Sequence, residues 1–144
     1  MSHVVSMRLQ DEQLARLKRY ARILGKTPGE TSALLVEEHL RETEYAFIEF
    51  RHSPVGRQAY MKGSRLTAWW VVHVAKTYFG MDPQKSADHF QKPVAWVKAA
   101  LNYYAAFPNE IDQAIEDHHA TDFETLQHAL PNAQILTISL EDET

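Results

Sequence analysis

The sequence predicts a mainly α-helical protein with one short N-terminal strand and one β-hairpin. Three observations predict it. Among 144 residues there are only 5 Gly and 6 Pro, which suits helices joined by short connections. Helix-start signals recur along the chain at Thr27-Pro28, Thr67, Asp82-Pro83, Pro93 and Pro108. β patterning is confined to residues 4–9, to 46–63 and to the segment from Ala133 to Leu140.

The elements follow in order. Residues 4–9 alternate, with Val5, Met7 and Leu9 on one face and Val4, Ser6 and Arg8 on the other, so they read as a half-buried strand. Leu14, Leu17, Ala21 and Leu24 then recur at helical spacing, with Asp11 and Glu12 at the end where the helix dipole favours acids. Gly25 stops this helix, and Arg19, Arg22 and Lys26 line its wet side. Thr27-Pro28-Gly29-Glu30 has the pattern of a capping box and opens a second helix to about Thr43, whose apolar side is Ala33, Leu34, Val36 and Leu40. Residues 46–63 read as a hairpin turning at Ser53-Pro54-Val55-Gly56; Tyr45 to Phe50 either continues the helix or starts that hairpin. Thr67 begins a helix through Phe79 whose Ala68-Trp69-Trp70-Val71-Val72 run is apolar nearly all round and must be buried or at an interface. A short helix from Asp82 to Phe90 and a longer one from Pro93, with Val94, Val97, Leu101 and Tyr104 on one face, have helix-turn-helix dimensions. Pro108 opens a helix to about His118. Thr121-Asp122-Phe123-Glu124 opens another to Leu130, and Ala133 to Leu140 alternates as a final strand or an extended docking segment.

A lone strand cannot stand in water, and no second one follows within the first unit. Pairing with the same strand of a second chain, in a two-fold dimer, is the simplest solution. The order Val5-Ser6-Met7-Arg8-Leu9, a basic helix from Asp11 to Leu24, and Gly25-Lys26-Thr27-Pro28-Gly29-Glu30 opening a second helix resembles the ribbon-helix-helix family of DNA-binding proteins, the MetJ, Arc and CopG type. Thr31 stands where that pattern commonly has an apolar residue. The resemblance implies a paired β-ribbon that enters the major groove.

Residues 47–116 are similar to the family catalogued as domain of unknown function 433, small helical domains associated with VapB-like antitoxins. The matching residues are Gly56-Arg57, Gly63-Ser64-Arg65-Leu66, Trp70-Val71-Val72, Ala87-Asp88-His89-Phe90, Val97 to Tyr104 and Glu110-Ile111-Asp112. That likeness implies an antitoxin or regulator role and a PIN-like toxin as a partner. The expected organisation is therefore a ribbon-helix-helix dimerisation and DNA-binding unit over 1–45, a hairpin plus helix-turn-helix-like domain over 46–119, and an acidic tail over 120–144.

The net charge of −4 taken alone speaks against nucleic acid. Resolved along the chain it is +4 over residues 1–26, −5 over 27–50, +6 over 51–104 and −9 over 105–144. The basic first block coincides with the elements that would face DNA. Cysteine is absent, which excludes disulfides, thiolate zinc and a Cys nucleophile. No apolar run approaches a membrane span, and the N-terminus lacks a signal-peptide pattern, so a cytoplasmic protein is expected.

The candidate DNA-binding residues are Val4, Ser6 and Arg8 on the ribbon, since an Arg can bind a guanine edge bidentately, and Lys26, Thr27 and Gly29 at a helix N-terminus, where free amides suit a phosphate. A second basic surface is drawn from Arg57, Arg65, Lys92, Trp96 and Lys98, against the plainer reading of a solvated face. Asp117-His118-His119 with His128 does not make a metal site, because adjacent histidines point to different faces of a helix. His73 and His89 read as satisfied core or surface histidines. No nucleophile motif, phosphate loop or cofactor fingerprint is present, so neither an enzyme nor a cofactor is expected. The acidic end, with Phe123, Leu126, Leu130, Ile135, Leu136 and Ile138 as anchors, suits either a basic groove on a nuclease toxin or its own domain.

The expectation is a homodimeric, DNA-binding transcriptional regulator of antitoxin type. The alternative is an interaction module that dimerises through the ribbon without binding DNA and takes a partner through its C-terminal region.

Overall fold

The computed structural model describes residues 1–120 and residue 128. The helix expected from Thr121 and the segment Ala133 to Leu140 lie outside the described residues. Residues 1–10 run as exposed chain and join no sheet among the described residues. Helix α1 is Asp11–Leu24 and α2 is Pro28–Glu44. Between them Gly25 adopts φ +66°, a left-handed conformation that costs glycine little, and the Lys26 N–H returns to the Ala21 carbonyl at 2.9 Å. Thr27 caps α2, its Oγ1 accepting from the Glu30 N–H at 3.1 Å. The expected capping box is altered: the Glu30 carboxylate accepts from the Thr27 hydroxyl at 3.2 Å.

The chain after Glu44 takes the hairpin alternative. Strands β1, Ile48–Ser53, and β2, Gly56–Met61, pair antiparallel in the register Ile48 with Met61 and Phe50 with Ala59. Met61 donates its N–H to the Leu66 carbonyl at 2.8 Å, Phe50 its N–H to the Glu42 carboxylate at 2.9 Å, and Lys62 its N–H to the Phe47 carbonyl at 2.6 Å. The Phe50 and Met61 amides therefore point away from the partner strand. By the alternation of an antiparallel ladder, those of Arg57 and Ala59 face the outer edge of β2.

Helices α3 (Ala68–Tyr78), α4 (Pro83–Phe90), α5 (Val94–Ala106) and α6 (Pro108–Ala120) follow. Thr67 and Asp82 cap α3 and α4 through the Trp70 and Lys85 amides, as their sequences predict. The α4–α5 turn closes on Gln91 at φ +54°, a left-handed cap. The core joins Ile48, Ala59 and Met61 of the hairpin to Val71 and Val72 of α3, Trp96, Val97, Ala100 and Tyr103 of α5, and Ile111 of α6. On α5 it is Tyr103, fully buried, that takes the core position rather than Tyr104. The expected apolar run of α3 is buried at Ala68, Val71, Val72, Val74 and Ala75.

No residue before Ile48 belongs to the fully buried part of this core. Within residues 1–45 only Ala21, Thr31 and Glu38 are buried. Thr31 tolerates its apolar-type position because its hydroxyl donates to the Thr27 carbonyl at 2.9 Å. The apolar side of α2 lies open instead: Val36 is 52% exposed and Leu40 48%.

Candidate functional site

Val4, Ser6 and Arg8 are all exposed on the N-terminal segment, as are Val5, Met7 and Leu9. Lys26, Thr27 and Gly29 are exposed at the start of α2. Here the anion-binding capacity is narrow. Pro28 has no N–H, and the Glu30 amide is taken by Thr27, which leaves Gly29 as the open amide of the first three helical positions.

The second basic surface needs correction at two positions. Arg57 is not a free cation: its Nη2 lies 2.5 Å and its Nε 3.1 Å from the two oxygens of Glu38, a fork-to-fork pair that joins the hairpin to α2. The pairing raises the Arg57 pKa against the opposing effect of burial. Trp96 is 4% exposed and packs on Phe90 with ring centroids 5.6 Å apart, because α5 turns it into the core. Arg65, Lys92 and Lys98 are exposed, and Lys92 extends over the Trp96 ring at 5.7 Å.

Arg41 forms a second tie between α2 and the helical domain. Burial opposes its charge, but its hydrogen bonds to Glu37 (2.7 Å), Tyr103 (2.8 Å) and Glu110 (2.9 Å) outweigh that cost and hold it cationic. The guanidinium also lies 3.7 Å from the Phe107 ring centroid. Tyr103 donates to Glu110, and burial followed by that carboxylate pushes its phenol pKa up.

Two arrangements escaped the sequence. His73 of α3 meets both His118 and His119 of α6, with ring centroids 5.9 and 5.1 Å away, and Trp69 and Trp70 flank the cluster. The expectation that adjacent histidines diverge fails here because both reach one neighbour near the end of their helix. Burial, then His119 and His118, lower the His73 pKa. Among the described residues no set of His, Asp or Glu is arranged to hold a metal ion. The second arrangement is a groove of about 430 Å³ between β2 and α6. Phe50, Ala59 and Trp69 form its apolar floor, Ile111 and Ala114 line the α6 side, and His118 stands on that wall. Among the described residues the buried Trp69 indole N–H meets no acceptor. An Asp-His-His triplet at a helix end was the only sequence signal for either feature, since their partners lie on separate elements.

No helix among the described residues is long and apolar enough to cross a membrane. Comparison of the chain with protein families, with curated proteins and with solved structures finds no match.

Proposed function

We propose that this chain is one protomer of a two-fold dimeric, DNA-binding transcriptional regulator of antitoxin type, working in the cytoplasm. The observation that carries the reading is the uncovered apolar surface of residues 1–45. Val5, Met7, Leu9, Leu14, Ile23, Leu35, Val36 and Leu40 are all exposed in the protomer, while the buried core is built from residues between Ile48 and Ile111. A unit of about 45 residues does not hold its fold without such a core, and a second copy supplies the missing half. Pairing residues 4–9 with their symmetry mates covers Val5, Met7 and Leu9 and leaves Ser6 and Arg8 on the outer face of a two-stranded ribbon. That ribbon fits the major groove, and the two-fold axis calls for a near-palindromic site.

The antitoxin assignment, with a PIN-like toxin as partner, rests on the resemblance of residues 47–116 to domain of unknown function 433. The acidic last block, residues 105–144, is expected to face away from DNA, toward solvent or a basic partner.

The test is selection of bound duplexes from a random-sequence pool, followed by fluorescence anisotropy on the enriched site. The expected result is binding that weakens steeply with salt. Arg8→Ala is expected to lose about 1–3 kcal/mol of discrimination between the selected site and a scrambled one. No salt-dependent binding by the wild type would sink the regulator reading and leave the interaction module. Equal sequence preference in Arg8→Ala would move the DNA surface from the ribbon to Arg65, Lys92 and Lys98.

A further inference from the structure

Helix α5 turns a face to solvent that differs from those of the other long helices. Its inner side, Trp96, Val97, Ala99, Ala100 and Tyr103, is buried. That leaves Ala95, Lys98 and Asn102 exposed at the i, i+3, i+7 spacing of a single stripe, which Ala105 and Ala106 extend. The stripe holds no acid and no large apolar residue. By contrast α1 exposes Asp11, Leu14 and Ile23, α2 exposes Glu37, Val36 and Leu40, and α6 exposes Asp112 and Glu116. Among the described residues Lys92 and Lys98 have no acidic partner, whereas Arg41, Arg51 and Arg57 are each paired with a glutamate. The acids of α6 that reach α5 are held away from the stripe: Glu110 by Tyr103 on the buried side, and Asp112 by Tyr104. Tyr104 stands roughly 160° round the helix from Asn102 at 3.6 residues per turn.

The stripe also stands in a suitable frame. Helices α4 and α5 are joined by Gln91-Lys92-Pro93, a short turn whose first residue takes φ +54°, and α3 packs behind α5. In a helix-turn-helix of these dimensions the second helix enters the major groove and the first crosses the backbone. A helix that lies in the groove needs small residues where it approaches closely and a side chain that reaches a base edge. Ala95 meets the first need. Asn102 meets the second, because its amide matches the N6 and N7 edge of adenine. Asp88, the exposed acid of α4, accepts from Gln84 at 3.0 Å. We propose that the outward stripe of α5 is a second DNA-reading surface, in which Asn102 meets a base edge in the major groove and Lys92 and Lys98 meet the phosphates beside it. The proposal rests on the reading of the chain as a dimeric DNA-binding protein, but not on the ribbon. One α5 makes too few contacts to hold DNA alone, and the dimer supplies two.

The test uses the full chain and the duplex that the wild type enriches from a random-sequence pool. Fluorescence anisotropy is read over a range of salt. Lys92→Ala combined with Lys98→Ala is expected to lower the slope of log Kd against log salt by about one per lysine in each bound protomer, on the selected and the scrambled duplex alike. Asn102→Ala is expected to relax the preference by roughly 5- to 100-fold at one or two base pairs, distinct from those relaxed by Arg8→Ala. All three side chains are exposed, so circular dichroism and melting of the variants are expected to match the wild type. Wild-type slope and preference in the α5 variants, with a loss in Arg8→Ala, would overturn the proposal and leave the ribbon standing. A loss in the α5 variants with none in Arg8→Ala would make α5 the reader and remove the ribbon. A lowered slope with unchanged preference in Asn102→Ala would overturn reading by α5. Absence of salt-dependent binding by the wild type would overturn the proposal together with the regulator reading.

Discussion

At the scale of single residues, the charge pairs decide how the N-terminal unit is held. Glu38 sits on α2 with its side chain 8% exposed, opposite Arg57 at 21%. Neither charge is tolerable alone in that position, because desolvation is offset only by the partner. Arg57→Ala leaves Glu38 buried without its cation and is expected to cost about 3 kcal/mol in urea unfolding. The double change Glu38→Leu with Arg57→Met keeps the packing and removes both charges, and it is expected to recover most of that loss. Failure to recover would mean that Arg57 acts through its contact with the Phe50 carbonyl, 3.3 Å away, rather than through Glu38. Arg57 also shows why a basic block is weak evidence for a basic surface. Its partner stands 19 positions earlier on another element, and nothing in the local sequence announces the pairing.

At the scale of elements, the acid response of α6 follows from His73. The buried ring has its pKa lowered by burial and by the two histidines of α6. A histidine depressed in the fold binds more protons when unfolded, so stability rises with pH across the gap between the two values. Its contribution is complete above the ordinary value of 6.5 and is lost as pH falls below it toward the depressed one. Several other charged groups on these elements make named contacts: Lys76 of α3 lies over the Tyr104 ring, and on α6 Glu110 pairs with Arg41, Asp112 accepts from Tyr104 and Asp117 accepts from Gln113. Thermal melts at pH 7.5 and 5.5 are expected to show a drop in Tm on acidification that shrinks in His73→Phe. An unchanged drop in that variant would assign the acid response to other groups. What was legible in the sequence at this scale were the helix starts, because Thr27, Thr67 and Asp82 each act on an amide three positions away. The run Ala68 to Val72, apolar on nearly all sides, also located the buried part of α3. The histidine cluster and the β2–α6 groove were not legible, because they depend on how α3, α6 and the hairpin meet across 45 or more positions of chain. The N-terminal strand pattern was legible, and residues 4–9 run as exposed chain with no strand partner among the described residues.

At the scale of the whole molecule, the protomer is two unequal halves: a helical domain with a continuous core, and a helical pair that borrows its stability. Glu38 and Arg41 fasten α2 to the helical domain from one side, through Arg57 on the hairpin and through Tyr103 and Glu110 on α5 and α6. The opposite side of α2, with Val36 and Leu40 about half exposed, faces away from the other described elements. If a second copy covers that side, folding of the N-terminal unit is linked to association and the unfolding temperature depends on protein concentration. Raising the concentration a hundredfold at fixed buffer is expected to raise the Tm of the wild type, and sedimentation is expected to give a dimer throughout. Val36→Asp places a charge on a surface that is about half exposed in the protomer, so it costs the isolated chain little. In the dimer the same carboxylate would be buried beside its symmetry mate, a cost of several kcal/mol. The variant is expected to sediment as a monomer, to lose the concentration dependence of its Tm, and to lose DNA binding together with the ribbon. A Val36→Asp protein that stays dimeric would place the two-fold contact elsewhere and detach the open face of α2 from the ribbon. Retained DNA binding by a monomeric Val36→Asp protein would separate the DNA surface from dimerisation altogether.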